Sequence, residues 1–186
     1  DAGENLRQEG IPTSKIHFVG NVMVDSLLAH VEAARARDTL ARFGLQENGY
    51  GPKPYVVLTL HRPSNVDHPE TFARLTTAIE HVARRMPVIV PVHPRTAARV
   101  KERAIGGDLR LVEPQGYLDF LALTAGARLV MTDSGGLQEE TTALGIPCLT
   151  VRDNTERPIT VTEGTNELTG RDCGRIVTAP TNGAAG

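Results

Sequence analysis

Short runs rich in Val, Ile and Leu alternate along the chain with longer segments of helical period, and this alternation constrains the fold more than any other feature. Strands separated by helices pair in parallel through crossovers, so the pattern predicts an α/β protein with helices on both faces of a parallel sheet. The clearest strand is Tyr55-Val56-Val57-Leu58-Thr59-Leu60, a continuous apolar run suited to burial on both faces. Ile16 to Val19, Val88 to Val92, Leu109 to Val112, Arg128 to Thr132 and Pro147 to Val151 read as further strands, about six in all.

Helices fit between them, over Asn21 to about Phe43, about Pro69 to Arg85, Pro94 to about Ala104, about Tyr117 to Ala125, and Gly136 to Leu144. Pro69 and Pro94 sit where a helix begins, a place that tolerates the missing N–H, and Gly145 follows the last helix as its C-cap. The stretch from Gly44 to Pro54, rich in Gly, Pro and Asn, reads as a surface loop. There is no internal repeat.

In an open parallel sheet, ligands bind beyond the carboxyl ends of the strands. The most informative segment at such an end is Asp133-Ser134-Gly135-Gly136-Leu137-Gln138-Glu139-Glu140, which follows a strand and opens a helix. Two glycines let a backbone approach a diphosphate without Cβ obstruction, and free N–H groups with the helix dipole favour negative charge. Ser134 is placed as an N-cap or phosphate donor. Glu140, about a turn and a half along, shares a face with Gly136 and Leu137 and suits two ribose hydroxyls. A capped tight turn followed by solvated glutamates fits the same residues.

His61-Arg62-Pro63-Ser64-Asn65 falls at the end of the buried strand, where Arg or His reaches a phosphate, although taken alone it reads first as a plain β-to-α loop punctuated by Pro63. His93-Pro94-Arg95 repeats that placement more weakly. Arg152-Asp153-Asn154-Thr155-Glu156-Arg157-Pro158 suits a diphosphate or a sugar, but its acids and arginines can also satisfy one another. His17, His30, His68 and His81 lack converging partners and read as structural or solvated.

Several functional classes are disfavoured. Neither a Gly-x-x-x-x-Gly-Lys-Ser/Thr loop nor a Gly-x-Gly-x-x-Gly fingerprint occurs, and no Gly-x-Ser-x-Gly elbow is present. A formal charge of −2 from 20 Lys plus Arg and 22 Asp plus Glu gives no general pull toward nucleic acid or an anionic membrane. Cys148 and Cys173 belong to no zinc-type spacing and read as reduced and structural, and no metal or other cofactor is expected. No apolar run approaches the ~20 residues needed to cross a bilayer, and a cytoplasmic location is expected.

Asn21 after a Val-Gly step, His61-Arg62, Pro91-Val92-His93-Pro94, Pro114-Gln115-Gly116-Tyr117-Leu118-Asp119-Phe120 and the two long polar motifs at 133–140 and 152–158 stand in one order. Together they resemble the UDP-N-acetylglucosamine 2-epimerases, from about residue 10 to about residue 177. The resemblance implies a Rossmann-like fold forming one half of a GT-B arrangement. Residues 1–186 would be a single UDP-binding domain, the C-terminal half of a two-domain enzyme, whose catalytic carboxylates lie in the missing N-terminal domain. The polar start of the chain and its tail, Thr181-Asn182-Gly183-Ala184-Ala185-Gly186, read as cut ends and fit that expectation.

The same resemblance implies UDP or UDP-GlcNAc as ligand, with Ser134, Gly135 and Gly136 at the phosphates and Glu140 at the ribose. Phe120 would lie against the uracil with Gln115 nearby, Arg157 and Arg62 would face the phosphates, and His61 would assist departure of UDP. The reaction implied is epimerisation of UDP-GlcNAc to UDP-ManNAc by elimination and re-addition of UDP, in cell-surface polysaccharide biosynthesis, with the isolated chain inactive and able to self-associate. Many bacterial members read His-Arg-Arg-Glu-Asn where this chain has His61-Arg62-Pro63-Ser64-Asn65, close to a regulatory UDP-sugar site, so the resemblance does not carry that activation over. The donor domain of a GT-B glycosyltransferase, or a nucleotide-sugar binding module without chemistry, are the alternatives.

Overall fold

The structure, a computed structural model, describes residues 2–47, 51–92, 100 and 106–178. Six strands form one sheet, and every neighbouring pair in it is parallel. With a small antiparallel ribbon, β1 (Gln46–Glu47) and β2 (Gly51–Pro52), numbered first, the sheet strands are β3 (Val56–Thr59), β4 (Val88–Pro91), β5 (Leu109–Val112), β6 (Leu129–Thr132), β7 (Cys148–Thr150) and β8 (Asn166–Leu168). Their order is β5-β4-β3-β6-β7-β8. The helices are α1 (Ala2–Gln8), α2 (Val22–Arg35), α3 (Thr39–Arg42), α4 (Pro63–Val66), α5 (Pro69–Ala83), α6 (Tyr117–Ala125), α7 (Gly135–Leu144), α8 (Ile159–Thr162) and α9 (Cys173–Thr178). The helix expected from Pro94 to about Ala104 lies outside the described residues apart from Val100, as do His93, Arg95 and the tail from Thr181.

Both sheet faces are covered, which explains why the central strands carry no polar alternation. Val56, Leu58 and Leu60 point to one side, joining Val88, Val90, Leu129 and Met131 beneath Phe72, Leu75, Ile79 and Val82 of α5. Tyr55 and Val57 point to the other, joining Ile89, Val130 and Leu123 of α6. Farther out on that second side, Leu27, Val31 and Ala34 of α2 pack on Leu121 and Ala122. Each fully buried side chain of this size contributes roughly 1.5–3 kcal/mol, so the two faces together fix the register of the sheet.

Three expectations need correction. The run from Ile16 to Val19 is not a strand: it joins no sheet among the described residues, and Phe18 and Val19 stand 99% and 77% exposed. The sixth place is taken by Asn166–Leu168, a three-residue edge strand whose polar composition hides it from an apolar search. The helix expected from Asn21 to about Phe43 is two helices, α2 and α3, broken at residues 36–38. Asp119 explains the break, because its carboxylate accepts hydrogen bonds from Arg37, Arg42 and the buried Thr39 hydroxyl, gathering the segment after α2 onto α6. Pro69 and Gly145 stand as expected, Pro69 in the first turn of α5 and Gly145 at φ +69° after α7.

Candidate functional site

The ladder brings three loops to one level. Thr59 pairs with Thr132 and Thr132 with Thr150, so β3, β6 and β7 end side by side. Residues 60–62, 133–134 and 151–152 therefore leave the sheet as neighbours. The chain also reverses its direction of winding here, since β4 and β5 lie to one side of β3 and β6 returns to the other. A crevice opens at such a reversal, where parallel α/β sheets take their ligands.

Asp133, the residue after β6, is fully buried and ties the first two loops together. Its Oδ1 lies 2.8 Å from His61 Nδ1, and its Oδ2 accepts from the amide of Arg62 at 2.9 Å and from Asn65 Nδ2 at 3.1 Å. The His61 amide donates to both oxygens, at 3.2 and 3.1 Å. Asn65 also donates to the carbonyl of Val151 at 2.9 Å, which brings in the third loop. Pro63 in the first turn of α4 sets the bend that lets Asn65 reach inward.

Ser134 occupies the N-cap position of α7, but its hydroxyl caps nothing. A helix leaves the N–H groups of its first turn without intrahelical partners, so the amides of this turn stay available for an anion. Among the described residues nothing demands glycine at 135: a Cβ there would meet Glu156 Oε2 alone of them, at 3.8 Å. At Gly136 a Cβ would stand 3.3 Å from Met23 Cε, a movable side-chain tip. Gln138 holds the opposite side of α7 in place. It donates to the Ser134 carbonyl at 3.2 Å and accepts from Thr155 at 2.5 Å and Asn166 at 3.2 Å, fastening the 152–158 loop beside the helix.

Two adjoining cavities share Thr59, His61 and Phe120. One, of about 290 Å³, is lined also by Ser134, Gly136, Leu137, Glu140, Met23 and Tyr117. The other, of about 240 Å³, adds Gln115, Pro114, Leu60, Pro91 and Val92 and is mainly apolar. His61, Phe120, Ser134, Gly136 and Glu140 thus face one space, and Gln115 faces its extension. Burial, and next to it the neighbouring carboxylate of Glu139, push Glu140 above the usual carboxylate range.

Gly135, Arg62 and Arg157 do not line either cavity. Arg62 donates through Nε to the carbonyl of Asp133 at 3.0 Å, and Arg157 pairs with Glu139 at 3.0 Å. In the same loop Arg152 makes a two-pronged pair with Glu156, both at 2.7 Å, and holds that carboxyl at about 2. Asp153 pairs with Arg171 at 2.7 Å. Self-satisfaction thus describes Arg152 and Asp153 in this structure, and Arg157 needs to leave Glu139 before it can serve a ligand.

Sequence reasoning missed Met23 and Tyr117 as cavity walls, and missed Asp133 as the group that binds the loops together. Met23 follows Asn21, whose side chain accepts from the amides of Met23 and Val24 and so starts α2 beside the crevice. Asp133 carried a signal: an acid directly after a strand as apolar as Leu129-Val130-Met131 falls at a buried sheet end, where a carboxylate needs donors around it. No group of three or more His, Cys, Asp or Glu suited to a metal ion occurs among the described residues. No helix among them is long and apolar enough to cross a membrane.

Fold and crevice together define a parallel α/β domain with a ligand cleft at its topological switch point. The UDP-N-acetylglucosamine 2-epimerase family model matches residues 1–184, and the chain belongs to that family. It is 39% identical over 181 residues to a UDP-N-acetylglucosamine 2-epimerase of Methanococcus maripaludis, covering 92% of this chain and 48% of that one. The Methanocaldococcus jannaschii UDP-GlcNAc 2-epimerase, solved in complex with UDP-GlcNAc and UDP, superposes with a TM-score of 0.82 at 38% identity, over 95% of this chain and 50% of that one. The Neisseria meningitidis enzyme bound to UDP-GlcNAc gives 0.83 at 29% identity, over 95% and 49%. The chain spans about half the length of the curated relatives it matches.

Proposed function

We propose that this chain is the UDP-binding half of a UDP-GlcNAc 2-epimerase. The observation that carries the reading is the shared space in front of Ser134, Gly136, Glu140, Phe120 and His61, at the start of α7. In this reading the diphosphate lies against the hydroxyl of Ser134 and the amides of Gly135 and Gly136, where helix polarity and first-turn donors favour negative charge. Glu140 accepts from the ribose hydroxyls, and the uracil lies against Phe120 with Gln115 beside it. Arg62 and Arg157 turn from their present partners toward the phosphates when the anion arrives.

The reaction removes the proton from C2 of the sugar and breaks the C1–O bond, releasing UDP and leaving a 2-acetamidoglucal. UDP then adds back to C1 while a proton returns to C2 on the opposite face. His61 stands on the diphosphate side of this chemistry and serves the departing oxygen by proton donation or charge. The base at C2 belongs to a second domain, for which the relatives' double length leaves room. The exposed Phe18, Val19, Val22 and Met23 beside the cleft provide apolar surface for that domain or, without it, for a second copy of the chain. The expected setting is the cytoplasm.

The test is to incubate the purified 186-residue chain with UDP-GlcNAc and, separately, with UDP. Weak UDP binding without formation of UDP-ManNAc is expected. Turnover by this chain alone would refute the division of labour, and failure to bind UDP at millimolar concentration would refute the nucleotide site.

A further inference from the structure

Four hydrogen-bond donors make five contacts with the carboxylate of Asp133, and one of them is the ring of His61. Oδ1 lies 2.8 Å from His61 Nδ1, while the three shortest main-chain and amide contacts to Oδ2 run from 2.9 to 3.1 Å. Asp133 is 0% exposed, whereas the His61 side chain is 43% exposed and borders both cavities. An ionised carboxylate only accepts, so the ring nitrogen facing it must carry hydrogen. Which nitrogen of an imidazole is protonated follows from the hydrogen bond made by the other.

We propose that Asp133 is a positioning residue for His61: it holds the ring in the Nδ1–H form and leaves Nε2, at the far edge from Asp133, as the nitrogen that exchanges protons with the ligand. This rests on the reading of His61 as the group that serves UDP departure. In the forward step the C1–O bond breaks, its electron pair passes to the β-phosphate oxygen, and that oxygen takes the Nε2 proton of the imidazolium. The ring becomes neutral and keeps Nδ1–H toward Asp133. Re-addition runs the transfer backwards, with Nε2 recovering its proton as the oxygen attacks C1. The buried carboxylate faces the positive ring in one state and the Nδ1–H dipole in the other, so the ring needs no rotation between steps.

A merely structural Asp133 would fasten residues 61–65 without fixing the tautomer, and substitution by Asn separates the two roles. Asn keeps one acceptor and gains an NH2 group. Three donors crowd Oδ2, so the amide oxygen of Asp133→Asn settles there and the NH2 turns toward His61 Nδ1. That nitrogen must then accept, which moves the ring hydrogen to Nε2, as when a triad carboxylate becomes an amide.

The experiment is long-range 1H–15N correlation NMR of the imidazole nitrogens in the 186-residue chain at a pH where the ring is neutral. His61 signals are assigned by their loss in His61→Gln. The wild type should show protonated Nδ1 and bare Nε2, and Asp133→Asn should show the reverse. A wild-type spectrum with Nε2–H, or a folded variant whose tautomer is unchanged, would overturn the proposal. If Asp133→Asn does not fold, the wild-type spectrum alone decides. UDP titrated into the same wild-type sample tests the nucleotide reading separately, since loss of UDP binding leaves the tautomer result standing.

Discussion

The hydroxyls of Thr59 and Thr132 meet at 2.6 Å across the two central strands, at the level where both strands end. Thr132 is wholly buried, and its oxygen also accepts from the amide of Ser134 at 2.9 Å. This pair joins β3 to β6 at the reversal point of the sheet and sets the direction in which Ser134 leaves it. Thr132→Val keeps the shape but leaves the Thr59 hydroxyl and the Ser134 amide without their partner. The expected cost is about 1–3 kcal/mol of stability. Urea unfolding measures it, and a midpoint equal to wild type would show that the pair is incidental.

Gly135 separates ligand demands from folding demands. The position is helical and has room for a methyl group, so Gly135→Ala should leave stability unchanged or raise it by roughly 0.5–1 kcal/mol. On the proposed reading binding should move the other way, because that reading brings the diphosphate up to the backbone at this position. Thermal melting with and without UDP reads both effects. A variant that is less stable without ligand, yet binds UDP as the wild type does, would reverse the assignment.

Glu140 should show a related trade-off with a pH signature. Its carboxyl is raised by burial, so the cost of ionising it in the fold sets in as pH rises past the unfolded value, is complete above the folded value, and is absent below the unfolded value. Glu140→Gln should therefore melt at a higher temperature than wild type at neutral pH. Ribose hydroxyls need the ionised carboxylate as acceptor, so wild-type affinity for UDP should fall as pH drops through the range just above the usual glutamate value. The glutamine variant should bind more weakly and lose that dependence. Parallel pH profiles for the two proteins would refute the role.

Asp119 predicts an acid limb of stability away from the site. Hydrogen bonds from Arg37 first, then Thr39, hold its carboxyl at about 2, against 3.8 for an ordinary aspartate. A depressed carboxylate stabilises the fold above its unfolded value and loses that contribution as pH falls from about 4 through 2. Melting temperature should fall across this window, and Asp119→Asn should flatten that part of the profile while lowering stability at neutral pH. An unchanged profile in the variant would place the acid sensitivity elsewhere.

Much of this architecture was legible in the amino-acid order because buried parallel strands need unbroken apolar runs and helices need a periodic stripe. Val56 to Thr59 and the stripe from Phe72 to Val82 meet those needs on their own. Ile16 to Val19 misled because an apolar run carries no information about whether a partner strand exists, and Asn166 to Leu168 was hidden because an edge strand needs little apolar surface. In the site, Ser134, Gly136 and Glu140 could be placed together from helix geometry alone. Asp133 with His61, Met23 with Gly136 and Arg157 with Glu139 could not, since each pairing depends on side-chain directions that only the packed sheet end defines.

Calorimetric titration of UDP into the wild-type chain and into Glu140→Ala tests the central claim most directly. One site per chain is expected, with the alanine variant weaker by about 1.5–3 kcal/mol, tenfold or more, for loss of a charge-assisted contact. Equal affinity in the two proteins, or no UDP binding by the wild type at millimolar concentration, would contradict it.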